Sequence, residues 1–269
     1  MPTSHWLDVP GARLYFEVQG SGPVLMFIGH PMDSTGFATI ARVFADDHTV
    51  VTYDPRGFGH STIEDRNQDA DPNIIADDVR RVLEAVGGGP AKVFGSSGGA
   101  VTGLALVAHH PTLVQTLIAH EPPVALLLPD AEQGRTAMQD IYDTFRADGA
   151  VQAWQKFLAF TGLAIPTQGE GAAPPSPPSQ EMIATSNRFF GQSLFPVTLY
   201  QPDIAALNAA PTLVQVGGGI ASRGQFAQRT AAALAERLGT PLIEFPGGHV
   251  GFLTDTAEFV PVLRRALND

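Results

Sequence analysis

Ala91-Lys92-Val93-Phe94-Gly95-Ser96-Ser97-Gly98-Gly99 is the stretch on which the fold turns. Ala91 to Gly95 reads as a short buried strand, and Gly99 to His110 as a helix of small residues stopped by Pro111. Between them Gly95-Ser96-Ser97-Gly98-Gly99 has the form G-x-S-x-G. A strand that runs straight into a helix needs a tight turn, and small residues on either side keep that turn free of clashes.

The same rhythm extends in both directions. Upstream, Ala12 to Gln19 alternates partly and ends at Gly20-Ser21-Gly22-Pro23, an antiparallel strand and a turn. Val24 to Ile28 is a continuous apolar run of strand length, expected to be buried on both faces. Thr35 to Ala45 has helical spacing, Thr49 to Tyr53 is a further strand, and Pro72 to Val86 a helix with Ile75, Val79, Val82 and Val86 near one stripe. Downstream, Val114 to Ala119, Pro211 to Val216 and Pro241 to Phe245 read as strands, with helices at Gly224 to Leu238 and Thr256 to Leu267. Alternating strands and helices predict an α/β fold with a mostly parallel, doubly wound sheet.

The segment 122–208 breaks the alternation. It offers helices near Ala131–Ala147, Ala150–Thr161 and Gln180–Ser193, and no strand of the main sheet. It is expected to be a helical cap inserted into a core formed by 1–121 and 209–269. Gly169 to Pro178, rich in Pro, Gly and Ala, is expected to be a mobile loop within it.

Bulk properties narrow the chemistry. The 269 residues suffice for one large core or one α/β domain with an insertion. The formal net charge of −11 argues against nucleic acid as a partner. Cysteine is absent, which excludes disulfides, thiolate metal sites and cysteine nucleophiles. The start of the chain has no basic region followed by an apolar run, and no apolar stretch is long enough to span a bilayer. A cytoplasmic protein, monomer or homodimer, acting on a small molecule is the expectation, with no membrane partner. No metal-ligand spacing or dinucleotide fingerprint is present, so no cofactor or metal is implied; Gly57-Phe58-Gly59 is a lone G-x-G outside the right context.

The turn at Ser97 is a candidate nucleophile elbow. It would lift the hydroxyl above the sheet and aim the Gly98 N–H, at the positive end of the following helix, towards a reacting carbonyl. Ser96 is off register with the glycines. A serine hydroxyl needs a base. Of the eight histidines, His249 in Gly247-Gly248-His249-Val250-Gly251 follows the last strand and comes last in chain order. His109 and His110 suit a helix C-terminus, His48 and His60 look like loop residues, His5 is near a terminus, and His120 adjoins Glu121 at a strand end.

Taken together, Ile28-Gly29-His30-Pro31, Tyr53-Asp54-Pro55-Arg56-Gly57-Phe58-Gly59-His60-Ser61, the turn at Ser97, His120-Glu121-Pro122-Pro123 and Gly248-His249 resemble the α/β-hydrolase superfamily over nearly the whole chain. The resemblance implies a Ser–acid–His triad, an oxyanion hole and a substrate-selecting cap. The superfamily's H-G-x-P appears with Ile28 in place of the leading His, and the resemblance makes the His30 backbone N–H the partner of Gly98 in the oxyanion hole. The His30 side chain is left with two readings, a substrate contact or a ring folded back on its loop.

The usual position of the acid, after the strand Pro211–Val216, reads Gly217-Gly218-Gly219-Ile220-Ala221-Ser222 and holds no carboxylate. Some members, certain haloalkane dehalogenases among them, carry the acid one strand earlier, which in this chain is Glu121. Chain order favours Glu121 as the triad acid over the alternative that it lines the cap hinge or pairs with an arginine. Trp154, Phe157, Phe160, Phe189, Phe190 and Phe195 of the cap are expected to supply packing, and some of them, Trp154, Phe157 and Phe190 in particular, an apolar pocket wall. The resemblance implies a serine hydrolase cleaving a small, largely apolar ester or lactone through an acyl-enzyme. Relatives on this fold with lyase, perhydrolase or cyclase chemistry, and a catalytically silent ligand-binding protein, remain the alternatives.

Overall fold

A computed structural model describes residues 2–87, 89–163 and 179–268. The loop expected to be mobile, Gly169 to Pro178, lies outside these described residues. Nine strands form one sheet: β1 (Thr3–Val9), β2 (Ala12–Gln19), β3 (Val24–Ile28), β4 (Thr49–Tyr53), β5 (Thr62–Ile63), β6 (Ala91–Ser96), β7 (Val114–His120), β8 (Leu213–Gly219) and β9 (Leu242–Phe245). Their order is β1-β2-β4-β3-β6-β7-β8-β9, with β5 pairing β2. β2 is antiparallel to β1, β4 and β5, and the pairs from β4 to β9 are parallel.

The apolar strands divide their side chains between two cores. Val24, Met26 and Ile28 of β3 face a cluster built with Val79, Val82, Leu104 and Leu234 from α2 (Pro72–Val86), α3 (Gly98–His109) and α9 (Phe226–Leu238). Leu25 and Phe27 face the other side, against Phe37, Phe44, Phe252 and Phe259 from the chain before α1 (Ala38–Phe44), α1 itself, α10 (Gly251–Thr254) and α11 (Thr256–Ala266). Strict alternation in a run with no polar residue is what a sheet covered on both faces requires.

Helix ends follow their local chemistry. Asp71 accepts from the Asn73 N–H at 2.8 Å, Pro72 occupies the first turn of α2, and Gly87 ends it at φ 75°. Between β7 and β8 run α4 (Ala131–Asp148), α5 (Ala150–Thr161), α6 (Gln180–Arg188), a π-helical turn Phe189–Ser193, α7 (Leu194–Thr198) and α8 (Ile204–Ala209). Met138, Ile141, Ala153, Phe189, Phe190 and Leu194 give α4 to α7 a core of their own. α7 and α8, one turn or slightly more each, have no clear periodic signal in the sequence. Neither does β1, which lies at the sheet edge with mostly exposed side chains and is held by its ladder to β2. No helix among the described residues is long and apolar enough to cross a membrane.

The strand order reverses between β3 and β6, which is where ligands lodge in open α/β sheets, outside the carboxyl ends of the strands. The register brings those ends level: Ile28 lies beside Gly95, Ser96 beside His120, and Gly219 beside Phe245. The loops after β3 and β4 are tied by Asp54, which accepts from the Ser34 N–H at 2.8 Å and the His60 N–H at 2.7 Å. Next to it, buried Arg56 donates twice to Asp78, both at 2.6 Å, and so pins the β4 loop to α2.

Replacing Arg56 with Met strands a buried carboxylate and is expected to destabilise the fold by about 3–5 kcal/mol in urea unfolding. The double variant Arg56→Met/Asp78→Leu removes both charges and should recover most of that loss. A double variant no more stable than the single one would show that the pair does more than neutralise itself.

Candidate active site

Two non-glycine residues among those described have a positive φ, Ser97 at 57° and Glu121 at 48°. Such backbone costs of order 1–3 kcal/mol per residue and persists only where the surroundings impose it. The strands impose it here. The Ser97 N–H donates to the His120 carbonyl and the Glu121 N–H to the Gly217 carbonyl, both at 2.9 Å, carrying the ladder one residue past each strand end. Close approach does the rest. A Cβ on Gly95 would lie 2.6 Å from the Gly99 carbonyl oxygen, and one on Gly99 would collide with the Ile28 carbonyl. These contacts explain why the turn is written in glycine and serine.

Ser97 stands half-exposed at the head of α3, while Ser96 is buried and its hydroxyl lies 3.4 Å from His120 Nδ1. Gly98 opens α3, so its N–H has no acceptor within the helix. It packs against the His30 backbone, where a Cβ on Gly98 would sit 2.7 Å from the His30 carbonyl oxygen. The two main-chain groups expected to face an oxyanion are therefore neighbours.

His249 follows β9 and bonds through Nδ1 to Glu121 Oε2 at 2.7 Å. A carboxylate can only accept, so Nδ1 is the donor, and in the neutral ring the lone pair is then on Nε2. The other carboxyl oxygen of Glu121 accepts from the Gly219 N–H at 2.8 Å and from the Ser222 hydroxyl. Glu121 is fully buried. Burial by itself would raise its pKa, but the hydrogen bonds from His249 and Ser222 and the nearby His120 and His249 outweigh it and hold the carboxyl at about 2. The loop after β8, which lacks an acid, supplies hydrogen-bond donors to the acid from β7. The sequence reading did not single out Ser222 and Gly219, the two residues that donate to this carboxyl oxygen.

His120 lies behind this pair among Phe94, Phe245, Phe252 and Phe259, with ring centroids 5.4–6.4 Å away. Burial pushes its pKa down to about 4, so it is neutral beside Glu121 at neutral pH. His30 is also buried, and burial together with the Arg188 charge holds it at about 3. Its ring stands edge-on to Phe58 at 5.1 Å, and neither nitrogen has a hydrogen-bond partner. The residue also borders the cavity at Ser97, so both readings of its side chain stay open.

Ser97, Gly98, His30 and His249 line one cavity of about 530 Å³. Trp154, Phe157 and Phe189 form part of its wall. Phe190 does not, contrary to expectation. The π-helical turn swings it into the α4–α7 core, where it is buried against Phe145 and Trp154 at centroid distances of 5.6 and 4.9 Å. Phe160 packs instead on Phe226, and Phe195 on Tyr142. Leu194, Val197 and Leu253 add apolar wall. Among the described residues no cluster of three or more potential metal ligands occurs.

His120, His30 and Glu121 share one pH dependence. Unfolded histidine takes up a proton below about 6.5, whereas His120 and His30 resist to about 4 and about 3. Unfolded glutamate takes one up near 4.5, whereas Glu121 keeps its charge to about 2. The unfolded chain thus binds more protons throughout this window, and stability falls as pH falls from about 6.5. Urea unfolding at pH 7 and 4.5 is expected to show the loss, and His120→Phe to remove roughly 2–3 kcal/mol of it. An equal loss in His120→Phe would show that His120 titrates normally.

A family profile described as alpha/beta hydrolase fold matches residues 22–256. The chain is 33% identical over 260 residues to the uncharacterized hydrolase YraK of Bacillus subtilis (strain 168), covering 94% of this chain and 92% of that protein. Among solved structures it resembles the esterase EaEST of Exiguobacterium antarcticum, with a TM-score of 0.74 at 19% identity and full coverage of both chains. It also resembles Est816, described as an N-acyl homoserine lactone degrading enzyme, with a TM-score of 0.70 at 20% identity, covering 97% of this chain and 99% of that one. At these identities the structural likeness speaks for the fold. The chain belongs to the α/β hydrolase fold family and, by its likeness to the hydrolase YraK, is a hydrolase.

Proposed function

We propose that the protein is a serine hydrolase that cleaves a small, largely apolar carboxylic ester or lactone through an acyl-enzyme. The observation that carries this reading is the 2.7 Å bond from His249 Nδ1 to buried Glu121, with His249 and the strained Ser97 on one cavity wall. In this reading His249 Nε2 takes the Ser97 proton as Oγ adds to the carbonyl carbon. The Gly98 and His30 N–H groups stabilise the oxyanion, and His249 returns the proton to the leaving oxygen. A water, deprotonated by His249 in turn, adds to the acyl-enzyme and frees the acid and Ser97. Glu121 stays ionised, holds the tautomer and balances the imidazolium.

The segment 122–208 acts in this reading as a cap on a core of 1–121 and 209–269. Trp154, Phe157 and Phe189 come from that segment, and they favour an apolar acyl or alcohol group. The cavity of about 530 Å³ suits a small substrate.

Hydrolysis of p-nitrophenyl butyrate tests the reading. Ser97→Ala is expected to lower kcat by about a thousandfold or more with the melting temperature retained. Glu121→Gln presents an amide to Nδ1, favours the wrong tautomer, and should lower kcat by about 10²–10⁴. Wild-type activity in Ser97→Ala would remove the nucleophile from the proposal, and near-wild-type activity in Glu121→Gln would remove the acid. Ser222→Ala leaves Glu121 with one donor fewer, and a kcat loss of about 3- to 30-fold is expected, with KM little changed.

A further inference from the structure

A second cleft, of about 780 Å³, opens beside the first and is bordered by α4, α6 and the loop after β4. Thr185 of α6 lines both. Three arginines line this cleft: Arg66, Arg146 and Arg188. The protein is acidic overall, and more than half of its basic side chains sit within salt-bridge distance of a carboxylate. No such partner is found for these three among the described residues.

Arg188 is the unusual member. It is 8% exposed, and its guanidinium donates to the Arg66 carbonyl at 3.2 Å and, at the limit of a hydrogen bond, to the Gln68 carbonyl at 3.5 Å. Its Nε is buried with no partner. A guanidinium carries five N–H donors, so three are unused. A buried cation with neither a counterion nor a full set of acceptors is costly. Asp65 and Asp69 are near enough to favour its charge, but burial and Arg56 act against it more strongly. Among the described residues Glu181 is the one carboxylate lining the cleft. Phe58, whose ring centre lies 5.4 Å from the Arg188 guanidinium carbon, shares the lining with Tyr142 and Phe145.

We infer that this cleft is a binding site, separate from the cavity at Ser97, for an organic carboxylate with an aromatic or apolar body. The fork of Arg188 matches a planar carboxylate, exposed Arg66 and Arg146 add attraction at the mouth, and the aromatic rings hold the body. This is the class of molecule that ester hydrolysis releases, but the binding does not depend on turnover.

Benzoate titrated calorimetrically into the full chain is the test. Saturable binding is expected, at least about tenfold weaker for acetate, which lacks the ring, and for neutral benzamide. Arg66→Ala/Arg146→Ala changes only exposed side chains and should weaken benzoate at least about tenfold while p-nitrophenyl butyrate turnover is unchanged. Arg188→Lys keeps the charge without the fork and should weaken it too, whereas Glu181→Gln should tighten it. The proposal is overturned by the absence of saturable binding, by equal binding of benzamide, or by benzoate that competes with p-nitrophenyl butyrate and binds the double variant unchanged. Because binding is read without catalysis, a protein that binds benzoate but hydrolyses no ester would sink the proposed function and leave the cleft standing.

Discussion

Two main-chain hydrogen bonds carry the site: Ser97 N–H to the His120 carbonyl, and Glu121 N–H to the Gly217 carbonyl. Each continues a parallel ladder one step beyond the strand that made it, and each holds a residue whose φ an L-amino acid avoids. The free energy for that strain comes from the buried sheet, where β3, β6 and β7 are covered on both faces. Rigid strands of this kind fix where the Ser97 hydroxyl and the Glu121 carboxylate stand at the ends of β6 and β7.

Charge is managed around that frame by burial and hydrogen bonding together. Glu121 is fully buried yet ionised, because the His249 ring, the Gly219 N–H and the Ser222 hydroxyl all point at it. His120 is equally buried and neutral, because its surroundings are phenylalanine rings and one distant hydroxyl. Adjacent residues on one strand end thus hold opposite protonation habits, decided by what each side chain faces.

Much of this was legible in the sequence. Val24–Ile28, Thr49–Tyr53 and Pro72–Val86 have the residue bounds that their apolar runs and helical stripe imply. The turn at Ser97 was legible because glycine and serine between a strand and a helix permit little else. What escaped detection depends on contacts far along the chain. Ser222 meets Glu121 across 101 positions, and no local pattern marks that meeting. Phe189 and Phe190 are alike in a helical reading, and only the π-helical turn decides which of them faces the cavity. β1 was invisible because an edge strand with exposed side chains has no buried face to impose alternation.

The loop after β8 has been relieved of the one duty that would fix its side chains. Glu121 takes a main-chain N–H from Gly219, where a Cβ would press on the Gly247–Gly248 backbone, and a single hydroxyl from the buried position of Ser222. The loop's other members, Ile220, Ala221, Arg223 and Gly224, are exposed. The exposed positions carry little chemical obligation and are free to drift in composition, so a pattern search that demands a carboxylate there would discard chains built like this one, whose buried carboxylate stands one strand away at Glu121.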